Sequence, residues 1–220
     1  MASTVPSRFV ARELLRLKTT DSVELEAELS TPDDREPRAG FVLAHPHPLH
    51  GGTMSSVVIS TWFFELAHDA ALLRFNFRGV GSSTGAFDDG DAERLDIAAA
   101  IDALAPVVEG LPLLLAGWSF GADTALGVGD ERLAGWLLAA PPLRPAALGR
   151  EQVSADPRPK RLIVPEHDAF CPPASAQELT NNWRNTTVET VAGTDHFFIG
   201  RTQRCVQAAL ALLDEIDQVG

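Results

Sequence analysis

The feature that most constrains the fold is a set of short, almost wholly apolar runs at residues 41–44, 70–77, 113–116, 133–140 and 162–164. Runs of this length are too short for ordinary helices and, having no polar face, read as strands buried on both sides, as in parallel sheets. Residues 186–191 are a sixth candidate strand. Between the runs, apolar residues recur with helical period: Ile59, Phe63, Leu66, Ala67 and Ala70; then Ile97, Ile101, Leu104 and Val108; and near the end Val206, Ala209, Leu210, Leu213 and Ile216. Residues 9–30 behave differently. Leu15 and Leu17, then Val23, Leu25, Ala27 and Leu29, alternate with polar residues, as in a half-exposed antiparallel hairpin. A hairpin followed by alternating strands and helices predicts an α/β fold with a mostly parallel central sheet and helices on both faces.

The 220 residues contain no internal repeat and no low-complexity segment, and are expected to form a single domain over 1–220. The proline- and arginine-rich stretch 141–160 is too short to separate two domains. Asp and Glu number 30 against 18 Lys and Arg, a net charge of −12, with no basic cluster. Such a surface repels phosphate backbones and anionic lipid, so neither nucleic acid nor membrane is an expected partner. No stretch approaches the roughly 20 apolar residues of a membrane span. Cys171 and Cys205 are read as free thiols, and with no secretory pattern near the start the expected setting is the cytoplasm. Tyrosine is absent, which removes every mechanism that needs a phenol.

The chemistry concentrates where residues 113–116 run into Gly117-Trp118-Ser119-Phe120-Gly121 and then a helix-forming stretch. A Gly-x-Ser-x-Gly segment between strand and helix forms a turn so tight that positions two before and two after the serine cannot carry bulk, and it presents the hydroxyl as a nucleophile. Serine needs a histidine base, which in turn is held in one tautomer by a carboxylate. In this context the acid and then the histidine follow the serine in the chain. Downstream lie only His167 and His196. His196, in the small polar loop before the last helix, is the base. Asp168, just past the 162–164 strand, is taken as the acid, with Glu166 the competitor and Asp195 a weaker one. His167 is read as a loop histidine.

Acyl transfer also needs two N–H donors for the oxyanion: one from Phe120, after the nucleophile, and one from the loop following residues 41–44. In His45-Pro46-His47-Pro48-Leu49-His50 the prolines have no N–H to give. His47 is the best-placed donor, with Leu49 second. Candidate pocket residues are His50, Leu49, Phe170 and Phe197; Phe120 is read as a wall of the acyl pocket, and Trp118 as core.

Residues 45–54 (HPHPLHGGTM), 74–85 (RFNFRGVGSSTG), 117–121 (GWSFG) and 195–198 (DHFF) together resemble the small, lid-free α/β-hydrolases, from about residue 41 to the C-terminus. The resemblance implies an α/β-hydrolase fold without a cap domain and esterase-like serine hydrolase chemistry on a small-molecule ester. His50 departs from the pattern, since an apolar or aromatic residue is expected there. The region where a cap would be inserted, between residues 133–140 and 162–164, has room for one short helix.

Three rivals are weaker. His45, His47 and His50 approach a zinc motif, but Leu49 stands where that motif has an aspartate, and prolines flank His47. No metal or other cofactor is therefore expected. The glycines of residues 79–85 are spaced one residue too widely for a dinucleotide fingerprint and lead into a loop instead of a helix; Arg78 before them is read as bridging to a carboxylate. A non-catalytic binding protein on the same scaffold would be expected to lack one of the reactive residues. The function read from the sequence is a serine hydrolase that cleaves a small carboxylic ester, with thioester or amide (peptidase-type) hydrolysis as the alternative. Oligomeric state is not legible in the sequence.

Overall fold

The computed structural model describes residues 10–144 and 149–218. Strands β1 (Val10–Lys18), β2 (Glu24–Pro32), β3 (Ala39–Ala44), β4 (Ala70–Phe75), β5 (Leu113–Trp118), β6 (Leu133–Ala139), β7 (Lys160–His167) and β8 (Thr186–Asp195) form one sheet in the order β1-β2-β4-β3-β5-β6-β7-β8. β1 pairs antiparallel with β2, and β2 antiparallel with β4; every later pairing is parallel. Helices α1 (Val57–Glu65) and α6 (Gln203–Asp217) cover one face, while α2 (Glu93–Leu104), α3 (Phe120–Ala125), α4 (Arg150–Ala155) and α5 (Pro173–Thr180) cover the other. This is the α/β architecture expected from the hairpin and the apolar runs.

The central strands obey the period of two. Val42, Ala44, Leu73, Leu115 and Leu138 point to the α2 and α3 side, and Phe41, Leu43, Leu72, Leu114 and Leu137 to the α1 and α6 side. Both sets are fully buried, which is why these strands carry no polar alternation. On the second side Trp62 is wholly buried and its indole N–H donates to the Cys205 carbonyl at 2.9 Å, fastening α1 to α6. Cys171 and Cys205 are both buried and unpaired. Among the described residues no helix is long and apolar enough to cross a membrane.

Several boundaries differ from the sequence expectation. The helical period that included Ala70 ends earlier: α1 stops at Glu65, Asp69 N–H closes a turn on the Leu66 carbonyl, and Ala70 opens β4. β4 ends at Phe75; the Asn76 N–H still reaches the Glu26 carbonyl of β2, but the Phe77 N–H turns to His45 Nε2. β7 and β8 run beyond 164 and 191, remaining paired as far as His167 with Asp195 across an irregularity at Pro165. Residues 145–148 of the proline-rich stretch lie outside the described residues, as does residue 9 of the hairpin; α4 packs Val153 into the core.

The glycine turn after β4 is held by one carboxylate. Glu26 accepts from the Ser82 N–H at 2.9 Å and the Asn76 amide at 2.7 Å. Gly81, at φ 57°, approaches so closely that a Cβ there would sit 2.5 Å from the Glu26 carboxylate. Arg78 bridges carboxylates: its Nε and Nη2 donate to Asp96 at 3.0 and 2.7 Å, and Nη1 to Asp21 at 2.8 Å. Asp96 is fully buried and also accepts the Arg78 N–H, and burial pushes its carboxyl pKa up despite these donors. Removing only the cation leaves a buried carboxylate without its counter-charge. Arg78→Met is expected to cost about 3–5 kcal/mol in urea unfolding at neutral pH, whereas Arg204→Met, at the exposed pair with Glu189, is expected to cost under about 1 kcal/mol. Equal costs would show that Arg78 fills space without neutralising Asp96.

Candidate active site

Ser119 sits between β5 and α3 at φ 55° and ψ −117°, a conformation that for a non-glycine residue costs on the order of 1–3 kcal/mol. Its backbone is pinned on both sides. The Ser119 N–H donates to the Ala139 carbonyl at 2.8 Å, and its own carbonyl accepts from Ala122 and Asp123 at 3.0 Å. A Cβ on Gly117 would stand 2.5 Å from the Gly121 carbonyl, and one on Gly121 would stand 2.2 Å from the Ala44 carbonyl oxygen. Both glycines of the motif are therefore required by the close passage of β5, α3 and the end of β3.

A continuous hydrogen-bonded chain starts at this serine. Its Oγ lies 2.7 Å from His196 Nε2, and His196 Nδ1 lies 2.8 Å from Asp168 Oδ2. Asp168 and His196 are both buried. The other Asp168 oxygen accepts the N–H groups of Phe170 at 2.8 Å and Cys171 at 3.1 Å. With both oxygens accepting, the His196 proton resides on Nδ1 and Nε2 faces the serine as an acceptor. Trp118, read from the sequence as core, is buried and also donates its indole N–H to the His196 carbonyl at 3.2 Å, which fixes the loop carrying the imidazole. The remaining acids are occupied elsewhere. Glu166 accepts the Gly193 N–H at 2.8 Å, joining the last residues of β7 and β8, and Asp195 accepts the Phe197 N–H at 3.1 Å. His167 is exposed.

The loop after β3 is ordered by its histidines. His45 is fully buried; its Nε2 accepts the Phe77 N–H at 3.0 Å, so Nδ1 carries the proton and donates to the Pro46 carbonyl at 2.6 Å. His47 Nδ1 accepts the Leu49 N–H at 3.2 Å, which occupies the second-ranked donor of the sequence reading. Among the described residues the N–H groups of His47 and Phe120 have no hydrogen-bond acceptor. With the His45 ring nitrogens committed to the chain, His45, His47 and His50 do not converge, and no group of three His, Cys, Asp or Glu side chains among the described residues is arranged to hold a metal.

Ser119 opens into a cavity of about 870 Å³. His50, Phe170 and Phe197 lie on its wall with His47, Phe120, Trp118 and His196; Leu49 does not, being 69% exposed on the outer side of a short turn. The sequence reading missed Ser56 and Val57 at the start of α1, and Pro142, Leu143 and Arg144 after β6. The last two are held by Asp123, a buried carboxylate on α3 that accepts the N–H groups of Leu143 at 2.8 Å and Arg144 at 3.1 Å. The available signal was Asp123 itself, the one charge in a short, mostly apolar helix.

No protein-family model matches the chain. An uncharacterized protein of Rickettsia prowazekii (strain Madrid E) is 30% identical over 186 residues, which cover 78% of this chain and 77% of that protein. Among solved structures, an alpha-beta serine hydrolase homologue from Coxiella burnetii is similar with a TM-score of 0.80 at 29% identity, covering 92% of this chain and 96% of that one. The chain belongs to the small α/β-hydrolase superfamily. A serine hydrolase without a lid from Xanthomonas campestris has a TM-score of 0.81 at 23% identity over 96% of this chain and 95% of that one, a likeness of fold. The Pyrococcus furiosus esterase Pf2001, at a TM-score of 0.75 and 17% identity over 93% and 92%, shares the fold in the same sense. In keeping with the lid-free members, the described residues between β6 and β7 of this α/β hydrolase hold only the short α4.

Burial holds the pKa of His45 down to about 4, whereas an unfolded histidine titrates near 6.5. Between those values the unfolded hydrolase binds more protons than the folded one, so stability is lost as the pH falls from about 6.5 toward 4. His45 is expected to account for about 2–3 kcal/mol of that loss by pH 4.5. Urea unfolding at pH 7 and pH 4.5 is expected to show a drop smaller by this amount in His45→Asn; an identical drop in both proteins would contradict a buried neutral imidazole.

Proposed function

We propose that this α/β hydrolase is a serine esterase that cleaves a small carboxylic ester through an acyl-enzyme on Ser119. The observation that carries the reading is the unbroken chain from Asp168 through His196 to Ser119, at 2.8 and 2.7 Å, attached to a serine held at positive φ. Ser119 Oγ attacks the ester carbonyl while His196 Nε2 takes its proton, and Asp168 keeps the imidazole in the required tautomer and stabilises the imidazolium. The N–H groups of Phe120 and His47 receive the oxyanion, a role open to them because neither has an acceptor among the described residues. The imidazolium then protonates the leaving alcohol, and water, activated by His196, releases the acid.

The aromatic walls and the volume of about 870 Å³ suit a small-molecule substrate. Thioesters and amides yield to the same attack. The ester reading is preferred because the Pyrococcus furiosus neighbour is an esterase. The reaction as written uses neither metal nor organic cofactor, and we take its setting to be the cytoplasm, where the two buried thiols remain reduced.

Steady-state hydrolysis of p-nitrophenyl acetate and pentanoate tests the roles. Ser119→Ala and His196→Ala are expected to lower kcat by at least about 10³-fold, and Asp168→Asn, which holds the wrong tautomer, by on the order of 10³–10⁴-fold with the fold intact by circular dichroism. Glu166→Gln is expected to keep most of the activity. An Asp168→Asn variant with more than a tenth of wild-type kcat, together with an inactive Glu166→Gln, would move the acid role to Glu166.

A further inference from the structure

We infer that the acyl part of the substrate carries a carboxylate, and that Arg144 at the cavity wall is the group that recognises it. The inference rests on the esterase reading above and names its substrate class. It begins from charge. The chain has 30 acidic residues and a net charge of −12, yet none of the described residues lining the cavity is acidic, and Arg144 is the one fixed cation among them. In a strongly acidic protein, a wall without carboxylates and with an arginine is a local inversion of sign, and it favours entry of an anionic ligand that the rest of the surface repels.

Arg144 is also built in. Its backbone N–H and its Nε donate to buried Asp123 at 3.1 and 3.2 Å, and its guanidinium stands 5.5 Å from the centre of the Phe120 ring, beside the nucleophile. Arg150 approaches the same buried carboxylate at 3.8 Å, so two cations share Asp123 and the charge of Arg144 is only partly met there. The charge is felt inside the site. His47 is pushed below its ordinary pKa by burial first, and then by His50 and Arg144, with Asp89 opposing.

The remaining partner of Arg144 is replaceable. Nη1 donates to Asp89 at 3.1 Å, but the Asp89 side chain is 79% exposed and that of Arg144 38%. An ion pair that open contributes at most about 1 kcal/mol. A substrate carboxylate entering the cavity can take the place of Asp89 and receive two parallel N–H donors, the geometry for which guanidinium is suited. Asp89 then acts as a stand-in for the substrate anion when the site is free of ligand.

The test compares the mono-p-nitrophenyl ester of glutarate with p-nitrophenyl pentanoate, acyl chains of equal length that differ in a terminal carboxylate, after subtraction of spontaneous hydrolysis. The readout is the ratio of their kcat/KM values. The wild type is expected to favour the glutarate ester by about tenfold or more at low ionic strength, and to lose most of that preference in 0.5 M NaCl, where an exposed pair is screened. Arg144→Gln is expected to lower the ratio about tenfold and Arg144→Lys to lower it less, while Asp89→Asn raises it about two- to threefold by removing the competing anion. The salt series needs no variant and stands even if Arg144→Gln fails to fold. A ratio near one, insensitive to salt and to Arg144→Gln, overturns the inference while pentanoate turnover that disappears in Ser119→Ala leaves the esterase reading intact. Absence of turnover of either ester overturns the esterase reading, and this inference with it.

Discussion

The site depends on one close contact: Gly121, on the first turn of α3, lies against the carbonyl groups of Ala44 and His45 at the end of β3. No side chain fits there. The contact lets the turn after β5 and the loop after β3 share one end of the sheet, which brings the unoccupied N–H groups of Phe120 and His47 to the same cavity as Ser119. It also helps hold Ser119 in a conformation that an isolated chain would abandon, with the Ala139 carbonyl binding the serine N–H from the neighbouring strand.

The elements around this contact serve to hold two mobile kinds of structure, loops and side chains, in one arrangement. His45 ties the β3 loop to the segment after β4 through the Phe77 N–H, and it does so as a buried neutral ring. β7 and β8 stay paired beyond the apolar part of either strand, so Asp168 and His196 emerge from adjacent strand ends instead of from independent loops. Trp118 then clamps the His196 carbonyl from the residue next to the serine. Each of these bonds joins parts of the chain far apart in sequence. The hydrogen-bonded line from Asp168 to Ser119 is thus a product of the whole sheet edge and not of any one motif.

Much of this was legible before any coordinate. Strands β3, β5 and β6 announce themselves because both faces are buried and nothing polar interrupts them, and Gly117 and Gly121 announce the tight turn. Ala70 was ambiguous because alanine satisfies both periods; the turn at Asp69 decides it. The ends of β7 and β8 were hidden because Pro165, Glu166, Gly193 and Asp195 read as loop residues, whereas the strands stay paired there with the Gly193 N–H donating to the Glu166 carboxylate. The sequence ranked His47 over Leu49 as donor, but that the His47 imidazole occupies the Leu49 N–H needed the orientation of a side chain, which composition does not encode. Arg144 was hidden for a similar reason: its stretch has the composition of a surface loop, and its position comes from Asp123, whose burial appears only once α3 is packed.

The central claim is that the fold turns Ser119 into a nucleophile, and covalent capture tests it most directly. A fluorophosphonate probe incubated with the wild type and with Ser119→Ala, with intact mass as the readout, is predicted to give a single adduct on the wild type and none on the variant. A folded wild type that takes up no probe, or a variant that is labelled as fully as the wild type, would contradict it.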